Sequence, residues 1–198
     1  MRIFLIALVG LALLSGATYA SVPDPDMCTV NPPDQMAAPR LLGVPATSGM
    51  AAANLVVTIL ASDGTPINNA YVEVILNPTC NDPAPLCVCN NALFTGYTSS
   101  SGVLNMNMKF GGCCQDVSSA IVIAEGTPIR AYDIVVSPDY NGVDGNCAVQ
   151  LADFVYFSGQ YGNSGVPCSN FSGDAAEECS LPDFVTFAGV YGKLCTGS

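Results

Sequence analysis

Two kinds of side chain in this sequence are placed to do chemistry: oxygen donors in two C-terminal loops, and cysteines spread along the chain. The first loop reads Ser137-Pro-Asp139-Tyr-Asn141-Gly-Val-Asp144-Gly-Asn146-Cys147, with Asp153 beyond it. The second offers Asn170, Ser172 and Asp174 ahead of Asp183. A hard cation such as calcium takes about six to eight oxygens, and short acidic, amide and hydroxyl side chains at alternate positions supply them. Asp139, Asn141, Asp144, Asn146 and Asp153 are therefore candidate ligands of one calcium site, and Asn170, Ser172, Asp174 and Asp183 of a second. The first loop holds more oxygens and is the better candidate.

The ten cysteines are Cys28, Cys80, Cys87, Cys89, Cys113, Cys114, Cys147, Cys168, Cys179 and Cys195. An even number in an exported chain reads as a set of disulfides. Cys87-Val-Cys89 with Cys113-Cys114 could also make a four-thiolate zinc site, but export favours bridges. Adjacent Cys113 and Cys114 should pair with different partners. Six cysteines lie up to Cys114 and four from Cys147 onward, so each region is expected to close its own bridges.

What is missing excludes more. The 198 residues contain no histidine and no tryptophan. Without histidine there is no Ser-His-Asp or Cys-His nucleophile system and no His-ligated zinc. Sixteen acidic against five basic side chains, a formal charge of −11, argue against a nucleic-acid partner. No Gly-rich phosphate loop accompanies a strand–helix unit, so no nucleotide is expected either. Glu177 and Glu178 are adjacent and Glu73 and Glu125 isolated, which is no carboxylate pair for glycoside hydrolysis. No catalytic residue and no enzymatic activity are expected. Asn170-Phe171-Ser172 matches a glycosylation acceptor.

The elements that must position these groups follow from periodicity. Arg2, the apolar run Ile3 to Leu14, and small residues ending at Thr18 and Ala20 read as a signal peptide cleaved before Ser21. The mature chain is then secreted, extracellular or on the cell surface. Residues 21–53 carry prolines at 23, 25, 32, 33, 39 and 45 and should be extended. From Asn54 the pattern is strand-like: Asn54–Leu60, Tyr71–Leu76, Leu93–Tyr97, Leu104–Phe110, then Ala120–Ala124 and Ile129–Val136 as a hairpin about Glu125-Gly126. An antiparallel β-sandwich over residues 54–136 is predicted, with Met106 and Met108 in its core.

Past Val136 the period becomes helical, and the chain repeats itself. Leu151–Gly162 (LADFVYFSGQYG) and Leu181–Gly192 (LPDFVTFAGVYG) are identical at 8 of 12 positions, 30 residues apart. Phe154, Phe157 and Tyr161, and Phe184, Phe187 and Tyr191, fall at i, i+3 and i+7 on one helical face, with Gly162 and Gly192 placed to end each helix. A small α module of two loop–helix repeats is predicted over residues 137–198.

Two resemblances attach to these motifs. Asp63-Gly64-Thr65-Pro66, Ala70–Val74 and Gly96-Tyr97-Thr98 are similar to prealbumin-like, carboxypeptidase regulatory-like modules, which implies a structural or adhesive sandwich. The paired loop–helix units ending in Asp-Phe resemble the type I dockerin repeat, with degenerate EF-hand-like loops. That resemblance implies calcium binding and docking onto a protein partner. The spacing differs from a 12-residue loop: Asp139 to Asp153 spans 14 positions and Asn170 to Asp183 spans 13. Leu151, Ala152, Leu181 and Pro182 stand where cohesin-binding dockerins carry hydroxyls, and Ser158-Gly159 and Ala188-Gly189 replace their basic residues. A cellulosomal cohesin is thus not the expected partner. The docking face is read as Leu151, Ala152, Phe154, Phe157, Tyr161, Leu181, Pro182, Phe184, Phe187 and Tyr191, for a protein partner or self-association. A disulfide-stabilised subunit of a surface layer or filament, and an accessory carbohydrate-binding protein, are the alternative functions.

Overall fold

The computed structural model describes residues 21–31, 40–46, 53–77, 86–89, 93–173 and 176–195. The expected signal peptide, Cys80 and Asp174 lie outside them. The β-branched runs become strands with one face inward. β1 (Thr29–Asn31), β3 (Asn54–Thr58) and β7 (Val103–Asn107) form one antiparallel sheet in the order β1-β3-β7. The other main sheet runs β2-β10-β9-β4-β6, built from β2 (Arg40–Leu42), β4 (Tyr71–Leu76), β6 (Phe94–Tyr97), β9 (Cys113–Ala124) and β10 (Thr127–Val136). Alternation decides which residues meet between the sheets: Leu55, Val57, Val72, Val74, Val122, Tyr132 and Val135 are buried in a common core. Met106 and Met108 belong to it, as their spacing predicts.

The strand predicted over Leu104–Phe110 is broken. β7 stops at Asn107, and β8 (Phe110–Gly111) pairs instead with β5 (Cys87–Val88) in a separate ribbon. Between them Met108 N–H donates to the Ala53 carbonyl (2.8 Å) and its own carbonyl accepts from Val44 N–H (3.0 Å). The β9–β10 hairpin turns at Glu125 and Gly126, both with positive φ (48° and 79°), as a two-residue turn matched to strand twist requires.

The expectation of an antiparallel sandwich followed by a distinct small α module is corrected. The chain is mostly β, and β2 pairs with β10 in parallel. Its two helices, α1 (Leu151–Gln160) and α2 (Leu181–Val190), share a second core with the strand region. Val44, Ala46, Ala53, Cys113 and Val136 pack there with Val149, Phe157, Phe171, Phe187 and Val190. The physical reason is helix length: ten residues bury too little on one another to stand alone. None of the helices among the described residues is long and apolar enough to cross a membrane.

Three bridges among the described residues run between the regions rather than within each. Cys87–Cys147, Cys89–Cys195 and Cys113–Cys168 each join the strand region to the chain around the helices. Cys114 is also disulfide-bonded, so the adjacent pair has separate partners. Cys28 and Cys179, expected in bridges, are buried thiols. They sit in different cores, and the Cys28 thiol is occupied by the Leu60 backbone, accepting from its N–H (3.3 Å) and donating to its carbonyl (3.5 Å). Burial raises both thiols, Cys179 to about 12.

Arg40 locks the second helix loop to the sheet. Buried on β2, it donates to the carbonyls of Asn170 (2.5 Å) and Pro167 (3.2 Å) and pairs with Glu177 (3.6 Å). Arg40→Met should therefore lower unfolding free energy by about 3 kcal/mol, since a buried partner is removed from carbonyls and a carboxylate; guanidinium melts measure it, and a change within 0.5 kcal/mol, roughly surface-mutation size, would refute the lock. Thiol labelling checks the bridge assignment: Cys28 and Cys179 should alkylate only after unfolding, and labelling of either in the native protein would contradict their burial.

Candidate functional site

The loop before each helix is held by a carboxylate at the helix's third residue. Asp153 accepts from Gln150 N–H (2.8 Å), and Asp183 accepts from Ser180 N–H (2.8 Å) and Ser180 Oγ (3.0 Å). Both are buried. A carboxylate here satisfies an amide left unpaired by the helix and meets the positive end of its dipole. Residues 30 apart also share backbone conformation: Cys147 and Glu177 have φ of 63° and 50°, Gly162 and Gly192 have φ of 80° and 79°. The loops interlock reciprocally. Val149 N–H donates to the Lys193 carbonyl and the Val149 carbonyl accepts from Gly192 N–H, while Cys179 N–H donates to the Asn163 carbonyl and the Cys179 carbonyl accepts from Gly162 N–H.

The two loops differ in how their oxygens are satisfied. In the second, Asp183 Oδ1 accepts from Ser172 N–H (2.7 Å), and Asn170 Oδ1 accepts from Gly173 N–H (2.8 Å) and Ser172 Oγ (3.0 Å). Hydrogen bonds close that loop. Asn170 is buried in it, so the glycosylation motif is not presented on the folded surface. In the first loop, Asp139 accepts from the amides of Asn146 (3.1 Å), Cys147 and Ala148. One oxygen of each buried acid, Asp139 Oδ2 and Asp153 Oδ1, has no hydrogen-bond partner. Burial, with the charge of Asp153, pushes the Asp139 carboxyl up to about 7; burial also raises Asp153, with Asp144 adding to it.

Two orphaned, mutually repelling carboxylates fit a cation. The rest of the expected donor set is turned elsewhere. Asn141 Nδ2 donates to Asp144 Oδ1 (2.8 Å), and Asn141 Oδ1 accepts from Val143 and Asp144 N–H. Asn146 contributes its backbone amide. Among the described residues, the group of three or more His, Cys, Asp or Glu side chains with ligand atoms within 4.8 Å of one another is Cys89, Cys147 and Cys195. The sequence places no cluster there, because the fold, not the spacing, brings these cysteines together. Glycine permits the close fit beside it: a Cβ at Gly111 would overlap Asp139 Oδ2, and one at Gly145 would overlap Gly111 and Gly112.

The second feature is the outer face of α1 and α2. Leu151 and Leu181 are 64% and 62% exposed, Val155 and Val185 62% and 63%. Phe154, Phe184, Tyr161 and Tyr191 are also open, and Ala152 and Pro182 are exposed beside them. Phe157 and Phe187, expected on this face, are buried beneath it, stacked at 5.0 Å with 17° between planes. The periodicity groups them with Phe154 and Phe184, but side chains a turn apart straddle the boundary between core and solvent. Val155 and Val185 were not among the expected face residues; their offset of four from Leu151 and Leu181 is the signal that places them there.

Two shallow depressions mark the face. One is lined by Phe154, Phe157, Ser158, Tyr161, Leu181 and Phe184, the other by Leu151, Phe154, Phe184, Phe187, Ala188 and Tyr191. They exchange when residues are shifted by 30, and no charged side chain lines either. Gly159 and Gly189 leave open space beside them.

The raised Asp139 carboxyl sets a pH dependence. The folded chain holds its proton where the unfolded chain, ionising near 3.8, has lost it. Stability is therefore greatest below that value and declines as pH rises toward 7. In calcium-free buffer with chelator, the melting temperature should fall between pH 4 and 7 by more in the parent than in Asp139→Asn; equal slopes would contradict the burial assigned to this acid.

No known family's sequence model matches the chain, and no curated protein matches its sequence. One solved structure similar to it is a chain from an N-terminal interface mutant of a type II cohesin–X-dockerin complex from Acetivibrio cellulolyticus, at 16% identity and a TM-score of 0.26, covering 69% of this chain and 90% of that one.

Proposed function

We propose that the chain is an exported, non-catalytic docking protein whose α1–α2 face seats a second protein. The observation that carries this reading is the exposed, paired apolar face. Leu151, Phe154, Val155, Tyr161 and their counterparts are each 38–64% exposed, and large apolar and aromatic side chains of this kind anchor protein–protein interfaces. Soluble monomers rarely expose a contiguous apolar patch larger than a few hundred Å². The absence of charge on its linings points to a partner that presents an uncharged, apolar surface. The bridges support export, since disulfides persist in oxidising compartments.

In this reading Asp139 and Asp153 hold a calcium ion in the first loop. The ion would neutralise two buried carboxylates and stiffen the segment leading into α1. The second loop closes through Ser172, Ser180 and Asp183 without one.

A photo-crosslinker placed at Ser158, on the lining of the first depression, tests the docking reading on the oxidised full chain. Capture of one partner should be lost by at least tenfold in Val155→Asp/Val185→Asp and persist in high salt, because an apolar contact is not screened. Capture unaffected by the double substitution, or none, would overturn it. Sedimentation of the same proteins identifies the occupant as a second copy if the parent dimerises and the variant does not. Calorimetry on chelated protein should show one calcium per chain, lost in Asp139→Asn; no heat and no melting shift would remove calcium from the account.

A further inference from the structure

Three separated segments bring three sulfurs together, with a fourth, Cys87 Sγ, bonded to one of them. Cys87 lies on β5 and Cys89 just after it, Cys147 precedes α1, and Cys195 follows α2. The Sγ atoms of Cys89, Cys147 and Cys195 lie within 4.8 Å of one another, and Cys87 is bonded to Cys147. We propose that Cys87, Cys89, Cys147 and Cys195 form a four-thiolate zinc site when their two bridges are reduced. Tetrahedral zinc with bonds of about 2.3 Å sets its sulfurs about 3.8 Å apart; Cys89, Cys147 and Cys195 are already close to that spacing, and Cys87 joins them as its bond to Cys147 opens.

The backbone that carries the sulfurs is held independently of them. Cys87 pairs with Gly111, and Cys89 N–H donates to the Lys109 carbonyl (3.0 Å). Cys195 N–H donates to the Cys147 carbonyl (3.0 Å), beside the Ala148–Leu194 bridge and the Val149–Lys193 hydrogen bond (2.8 Å). These contacts align the segments that carry the sulfurs, and zinc supplies the cross-link that reduction removes. Cys89 is buried and Cys147 and Cys195 are partly covered, which shields thiolates from competing water. Lys193 lies two residues before Cys195, and the Lys109 backbone meets Cys89; four thiolates on zinc leave a formal charge of minus two for such cations to balance. Soft sulfur selects zinc and excludes the hard calcium ion.

The chemistry balances with a dithiol as reductant. Each disulfide takes two electrons and two protons from a dithiol, which closes to its own disulfide. The four cysteine thiols then release four protons as zinc binds. The metal replaces two covalent cross-links between β5 and the segments flanking the helices, so the helix pair stays on the sheet in a reducing setting. The Cys113–Cys168 bridge stands outside the cluster and serves as the control.

The full chain is reduced with a dithiol under nitrogen, desalted and titrated with cobalt, then zinc, while circular dichroism follows the fold. One cobalt per chain should bind, with thiolate charge-transfer and tetrahedral bands that zinc displaces. Cys87→Ser/Cys195→Ser should abolish this uptake and Cys113→Ser/Cys168→Ser should keep it. A reduced chain that stays folded without taking up cobalt would overturn the site. So would one that unfolds and is not restored by zinc, or uptake that depends on Cys113 and Cys168. The result is independent of the docking reading, which concerns the oxidised face.

Discussion

A ten-residue helix is too short to be stable in water by itself, and everything distinctive about this molecule follows from how that problem is met. α1 and α2 each send one aromatic ring inward. Phe157 stacks on Phe187 at 5.0 Å and on Phe171 at 5.8 Å, close to parallel in both cases. Fully burying a phenylalanine contributes about 1.5–3 kcal/mol, so the pair gains a few kcal/mol, well short of the ordering cost of two helices and their loops. The strand region supplies the rest. Val44, Ala46, Ala53, Cys113 and Val136 close the second core from below, and β2, running parallel on β10, brings Arg40 under the second loop.

The same constraint accounts for the bridges and the exposed face. Cross-links with sequence separations of 55 to 106 residues remove much of the entropy of a chain whose helices would otherwise detach. With one side of each helix committed to the core, the other is left free of a stabilising role. Leu151, Phe154, Val155 and their counterparts are exposed without any packing reason. An apolar residue kept in water at matching positions of two helices is a feature that stability does not require.

Much of this was legible in sequence, and the reasons are local. Tyr71–Leu76 and the turn at Glu125-Gly126 follow from alternation and from residues suited to positive φ. Helix positions and ends follow from Phe154, Phe157 and Gly162 at their spacing. Three things were not legible. The break after Asn107 keeps the apolar alternation of Leu104–Phe110, so periodicity does not show it. β2 is three residues long among prolines, too short to carry a pattern. The bridge partners depend on which segments the fold brings together: an even division of cysteines between regions suggested internal closure, while the second core drew Cys87, Cys89 and Cys113 toward Cys147, Cys195 and Cys168. The acids divide in the same way. Asp183 and Asp153 share a spacing, yet Ser172 and Ser180 satisfy the first of them while the second keeps an orphaned oxygen, a difference that belongs to the loops and not to the repeat.

The central claim is that strands and helices make one cooperative unit through the second core and the bridges that cross it. Scanning calorimetry of the oxidised full chain tests it most directly. The account predicts a single transition whose calorimetric and van't Hoff enthalpies agree, with far-ultraviolet helix and strand signals lost together. Two resolved transitions, with the helical signal melting first, would contradict it.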